Sequence, residues 1–131
     1  MVSETFGRPC PCGSGSAYEA CCQPLHHGER QADTAETLMR SRYAAYATSD
    51  ADYLFRTWHP RTRPAHVTVD PDVVWTSLEV TATGGGGVGD ETGVVVFTAR
   101  FEAGGRPEAM HERSRFERRR GRWLYVDGDV G

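Results

Sequence analysis

The chain contains no lysine; all 15 of its basic residues are arginine. A codon bias explains this economically, so it is not read as a functional signal. Nor does the chain have a large excess of either charge. A formal net charge of -3 gives no general attraction to nucleic acid or to anionic membrane, and any basic surface would have to be local. No apolar run approaches the length of a membrane-spanning helix. Met1–Cys10 has neither the charged start nor the apolar stretch of a secretion signal, so a cytoplasmic protein without membrane insertion is expected. At 131 residues there is material for one domain with its own core and a small appendage that cannot build one.

The four cysteines, by contrast, are concentrated within thirteen residues, as Cys10-Pro11-Cys12 and, after a Gly13-Ser14-Gly15-Ser16 stretch, Cys21-Cys22. Disulfides closing such short loops would restrict the unfolded chain weakly and tie nothing to the rest of the protein. Four thiolates instead match the closed tetrahedral shell of one structural zinc ion. Gly13 and Gly15 permit a tight turn whose N–H groups can approach the sulfurs. Ser16 and Glu19 have capping-box spacing, which predicts a helical turn carrying Cys21 and Cys22 to the metal. Adjacent cysteines point in different directions on regular backbone, so His26 or His27 is an alternative to Cys22 as fourth ligand. Iron is also compatible with four sulfurs. A full shell leaves no position for water or substrate, so the ion folds the segment and does no chemistry.

The string Cys-Pro-Cys-Gly-Ser-Gly, a tyrosine five residues after Cys-Gly, and Cys-Cys resemble the SEC-C motif, found at the tail of the SecA translocation ATPase and in small bacterial proteins. Ser16 and Ala17 stand where that motif often has lysines. Because the SecA module docks onto other proteins, the resemblance implies a protein partner for this knuckle.

Residues 25–33, with two histidines, Gly28 and no apolar period, read as a linker between a knuckle over 1–24 and a domain over 34–131. Asp33 with Glu36 predicts a capped helix over 34–48, with Leu38, Met39, Tyr43, Tyr46 and Ala47 on one buried face and a polar opposite face. Ser49 or Asp50 opens a second helix through Trp58, ended by Pro60. Strands are expected over 73–81, 94–103, 107–117 and 122–127, with Val74, Leu78 and Val80 sharing a face in the first. Gly84–Gly87 reads as a flexible hairpin, since no Gly-Lys-Ser/Thr follows it. Helices followed by antiparallel strands define an α+β domain, the helices packed on a strongly curved sheet.

The run from Ala35 to Tyr46, Thr57-Trp58-His59-Pro60, Glu112–Phe116 and Gly121–Gly128 resembles the YchJ family. With the knuckle, the resemblance covers nearly the whole chain. It implies a nuclear-transport-factor-2-like fold, a cone of helices against a bent sheet, and it implies no particular activity.

A cone leaves a pocket. Alternation in the third strand points Glu112, Ser114 and Phe116 inward and His111, Arg113, Arg115 and Glu117 outward. Arg40, Arg42, Tyr43, Tyr46, Trp58 and His59 are the candidate pocket residues and partners of Glu112 from the helical layer. If His59 met Glu112, the two would form an acid–base pair for a small substrate. Otherwise Glu112 accepts hydrogen bonds from an arginine or tyrosine and fixes the architecture. Arg113, Arg115 and Arg118–Arg120 make a local basic hairpin, but nearby acids are expected to neutralise it, so nucleic acid is not the expected partner. Two functions follow. One is an adaptor or binding protein, with a zinc knuckle for a protein partner and a scaffold that holds a small ligand or none. The other is a small-molecule enzyme using Glu112 and His59. An open outer sheet face would also permit a homodimer.

Overall fold

A computed structural model describes residues 8–131. Three helices, α1 (Gln23–His26), α2 (Ala35–Thr48) and α3 (Ala51–Arg56), precede four strands, β1 (Val73–Gly85), β2 (Thr92–Ala103), β3 (Arg106–Arg119) and β4 (Arg122–Val130). The strands form one antiparallel sheet in chain order, as short connections between consecutive hairpins dictate. This is the expected α+β architecture of helices on a curved antiparallel sheet.

α2 is the organising element. Its cap is Thr34, whose side chain accepts from the Thr37 N–H at 3.1 Å, and not the Asp33–Glu36 box. Glu36 instead accepts from Arg40 one turn on, at 3.0 Å. Toward the sheet, Leu38, Met39 and Tyr43 pack with Val95, Phe97, Ala99, Phe116 and Trp123. Removing a side chain such as Leu38 from this core would cost about 2–5 kcal/mol. The opposite face is not polar and solvated as expected. Ser41, Ala44 and Ala45 are buried as well, because the knuckle and α3 cover the side of α2 away from the sheet.

α3 begins at Asp50, which caps the Tyr53 N–H at 3.1 Å. Ser49 ends α2 in the left-handed region at φ 61°. The helix stops at Arg56, two residues before the expected end, because the chain turns onto β4. Tyr125 N–H donates to Thr57 O at 2.9 Å, and His59 N–H donates to Tyr125 O at 2.8 Å. Trp58 is thereby held in a parallel bridge with Tyr125.

β1 departs most from the sequence pattern. Its pairing with β2 shifts between Trp75 and Ser77 and again between Val80 and Ala82. Such bulges bend a strand and exchange its faces. Val74 therefore lies outside, 57% exposed, while Trp75 joins Leu78 and Val80 against the core. The glycines at the end of β1 are not a free hairpin: Gly84 and Gly85 pair with Val94 and Gly93. Gly86 O then accepts from the Ala35 N–H at 2.9 Å, satisfying one of the open donors at the start of α2. The approach is so close that a Cβ on Gly93 would lie 2.5 Å from Gly86 Cα.

Candidate functional site

The knuckle folds through local hydrogen bonds. Cys10 N–H donates to Ser16 O at 2.8 Å and Gly13 N–H to Cys10 O at 3.1 Å, and Pro9 bridges Ala17 in antiparallel fashion. Tyr18–Ala20 form a single 3-10 turn with no side-chain cap, so the Ser16–Glu19 box is not used. This path places all four cysteine sulfurs within 4.8 Å of one another, with none in a disulfide. The Cys12–Cys21 sulfurs are 3.6 Å apart and the Cys21–Cys22 sulfurs 3.9 Å; Ser14 Oγ lies 3.1 Å from Cys21 Sγ. Hydrogen bonds from the Cys10 and Cys22 thiols hold the Cys12 sulfur far below the usual thiol range. The same sharing pushes Cys10 up to about 11 and Cys22 up as well. Sharing protons in this way is how crowded thiols limit their mutual repulsion until a cation takes the place of the protons. The donor set, all soft sulfur, fits zinc or iron and not a hard cation.

The knuckle is fastened to the domain. Cys10, Cys12 and Cys22 pack on Ala44 of α2, a residue small enough to let the sulfurs approach the helix. Arg40 donates to Cys12 O at 2.8 Å and Arg30 to Cys21 O at 3.2 Å. The expected linker starts as packed structure: Leu25 is buried with Ala45, Tyr53 and Leu54. His26, expected in solvent or at the metal, is 4% exposed and has both nitrogens occupied. Nε2–H donates to Ser41 O at 2.8 Å, which leaves Nδ1 to accept from Tyr18 OH at 2.6 Å. Burial holds its pKa below the ordinary value. His26 is thus a neutral pin between knuckle and α2 and has no lone pair left for a metal. His27 is exposed and lies 3.9 Å from Glu29. The four sulfurs form their cluster without either histidine.

Between α2 and the sheet lies a cavity of about 280 Å³, lined by Tyr43, Tyr46, Trp58, Glu112, Ser114 and Tyr125 among others. Ser114 Oγ donates to Glu112 Oε2 at 2.5 Å and Tyr125 OH to the same oxygen at 3.3 Å. Burial, with the Glu112 charge beside it, pushes the Tyr125 phenol well up. Burial also pushes Tyr43 up to about 12.

His59 does not join this group. Its Nδ1 accepts from the Arg61 N–H at 3.0 Å, and its Nε2 is 3.5 Å from Glu117 on the outward face of β3. The backbone pairing of residues 57–59 with Tyr125 sends Trp58 into the cavity and its neighbour His59 away from it, so the His59–Glu112 pair is not made. Arg42, one of the expected partners of Glu112, is buried at the cavity wall, but its hydrogen bonds go elsewhere. Its NH1 donates to Leu54 O at 2.9 Å and Thr57 Oγ1 at 2.7 Å, and its guanidinium lies 4.6 Å from the Tyr125 ring centroid and 5.1 Å from that of Trp58. Arg40, the other arginine expected beside Glu112, instead bonds Glu36 and Cys12 O.

A sulfur-only cluster of this spacing, mounted on a helix-and-sheet cone, defines a SEC-C motif protein with a nuclear-transport-factor-2-like domain. Residues 9–24 match the SEC-C motif, and residues 34–128 match the family described as "YchJ, middle NTF2-like domain". The chain belongs to the YchJ family. A UPF0225 protein of Streptomyces coelicolor is 52% identical over 92% of this chain and 94% of its own, and one of Deinococcus radiodurans is 54% identical over 92% and 88%. Among solved structures, a SEC-C motif containing protein from Rhodopseudomonas palustris superposes with a TM-score of 0.80 at 40% identity, over 92% of this chain and 96% of that one. Another from Psychrobacter arcticus gives 0.75 at 27% identity, covering 100% and 86%. Among the described residues, no helix is long and apolar enough to cross a membrane.

Proposed function

We propose that this chain is a zinc-holding binding protein of the reducing cytoplasm. In this reading the knuckle takes one structural zinc ion and offers its outer loop to a protein partner, while the cone is a pocketed scaffold. The observation that carries the reading is the four-sulfur cluster itself, three of its members buried on Ala44. Zinc bound there would supply a folding constraint and no catalysis, since four thiolates fill a tetrahedral shell. The stretch from Gly13 to Ser16 is exposed, as are Glu19 and Ala20, and in this reading the Gly13–Ser16 loop is the surface offered to the partner. The basic hairpin supports a nucleic-acid partner poorly, because Arg115 is engaged by Asp127 at 2.6 Å and Asp129 at 2.8 Å. The enzyme reading loses its acid–base pair with the outward placement of His59.

The test is proximity cross-linking of the metal-loaded chain in its own cells, with Ser14→Glu and Ser16→Glu introduced together. The expected result is a reproducible partner that is lost in this loop variant and after chelation, while the fold of the cone is retained. An unchanged cross-linking pattern in both cases would contradict the adaptor role.

A further inference from the structure

The four sulfurs of the knuckle are not equally reachable. Cys10, Cys12 and Cys22 are 4%, 1% and 2% exposed and pack on Ala44. Cys21 is only half-buried, with the hydroxyl of the exposed Ser14 3.1 Å from its sulfur. A small oxidant arriving from solvent therefore meets Cys21 first, because oxidation at a thiolate follows exposure.

Two sulfurs lie against that of Cys21: Cys12 at 3.6 Å and Cys22 at 3.9 Å. Cys22 is its chain neighbour, and Cα atoms joined by one trans peptide are about 3.8 Å apart, short of the roughly 4.4–6.8 Å that an unstrained bridge spans. Cys12 comes from the other side of the Gly13–Ser16 loop and carries no such restriction. Rotation of the two side chains can close its gap to a bond of about 2.05 Å.

We propose that Cys21 is a site of oxidation by hydrogen peroxide, with Cys12 as its resolving partner, and that the bridge between them switches the knuckle out of its metal-holding state. The Cys21 thiolate attacks the peroxide, breaking the O–O bond and forming a sulfenic acid, while the second oxygen takes up a proton and leaves as water. The Cys12 thiolate then attacks the Cys21 sulfur. The S–S bond forms as the S–O bond breaks, and that oxygen leaves, with another proton, as a second water. Two thiolates are oxidised by two electrons and one peroxide is reduced. Only Cys10 and Cys22 remain to hold an ion, half of a tetrahedral shell. The ring closed by the bridge contains Gly13–Ser16, so oxidation also alters the surface offered to a partner, and thiol exchange restores it. The inference rests on the metal-holding reading of the knuckle and adds a control to it.

The experiment uses the full, unaltered chain purified under reducing conditions, with its metal content recorded, and limiting hydrogen peroxide as the probe. Transfer of zinc to a chromogenic chelator is followed beside mass mapping of the thiol-blocked chain. Cleavage after Glu19 separates Cys10 and Cys12 from Cys21 and Cys22, so a Cys12–Cys21 bridge joins the two fragments and a bridge within either pair does not. The expected result is loss of zinc in step with the joining of the fragments, a bridge assigned by fragmentation to Cys12 and Cys21, and recovery of metal binding once dithiothreitol and zinc are supplied. Fragments that stay separate, a first bridge through Cys10 or Cys22, or zinc retained while the bridge forms overturns the inference. Zinc in the parent with no such bridge sinks this inference alone, whereas a Cys12–Cys21 bridge in a chain that carries no metal sinks the metal reading alone.

Discussion

The two ends of α2 packing face different kinds of interior. On one side the cone buries large side chains, Leu38, Phe116 and Trp123 among them, and still leaves a cavity. On the other, the described residues of the knuckle bring together only cysteines, the methyl of Ala44 and Tyr18. A hydrophobic interior tolerates a hollow because many contacts share the load. A handful of sulfurs has no such reserve and depends on an ion to become a core. One helix serves both: Ala44 and Ser41 face the knuckle side, and Met39, Arg42, Tyr43 and Tyr46 face the cavity.

The largest effect expected from breaking this contrast comes from the metal. Chelation, or Cys12→Ser, releases residues 9–27 while leaving the sheet folded. Hydrogen exchange would show the knuckle and the outer face of α2 opening, with strand β2 still protected. Simultaneous loss of both regions would mean that the cone has no independent stability. Gly93→Ala comes next, because its new Cβ meets backbone at Gly86 that cannot give way cheaply. A loss of roughly 2–4 kcal/mol is expected in denaturant unfolding, and this time in the cone, with metal binding intact. Ala44→Leu sharpens the comparison at the shared surface. Overpacking there costs about 1–3 kcal/mol and should accelerate zinc loss to a chelator without changing the midpoint of sheet unfolding.

His26 adds a pH dependence. Burial depresses its folded-state pKa below the ordinary 6.5. Below about pH 6.5 the unfolded chain therefore takes up a proton that the native histidine refuses, and stability falls with pH down to the depressed value. Stability is fully present above that window. His26→Gln should flatten the slope of stability between about pH 7 and 5, even where it lowers the overall level; an unchanged slope would show that another group sets it. The smallest effect belongs to Arg61→Ala. Its pair with Glu117, at 2.9 Å, is exposed and screened by solvent, so the same unfolding assay is expected to show no resolvable change; a clear loss would show that this pair matters to the cone.

Much of this was legible in the residues. The cysteine spacing identified the cluster, the three-and-four spacing of Leu38, Met39 and Tyr43 identified the inner face of α2, and alternation in β3 placed Glu112, Ser114 and Phe116 correctly inward. What was hidden has physical reasons. A bulge adds one residue without a reliable signature, which reversed the faces assigned to Val74 and Trp75. His26 looked like linker because its partners, the Tyr18 hydroxyl and the Ser41 carbonyl, come from separate parts of the chain. Alternation of side chains around a backbone pairing decided that Trp58 and His59 would point apart, and that pairing with Tyr125 is a tertiary fact. The small residues Ala44 and Ala45 marked a second packing face on α2, a signal weaker than any apolar stripe.

The most direct test of the central claim is elemental analysis of the chain purified without added metal or a histidine tag, beside Cys22→Ser and a His26→Gln, His27→Ala double variant. The account predicts one zinc per chain in the parent, a sharp fall with Cys22→Ser and retention in the histidine variant. No metal in the parent, or metal undiminished by Cys22→Ser, would contradict it.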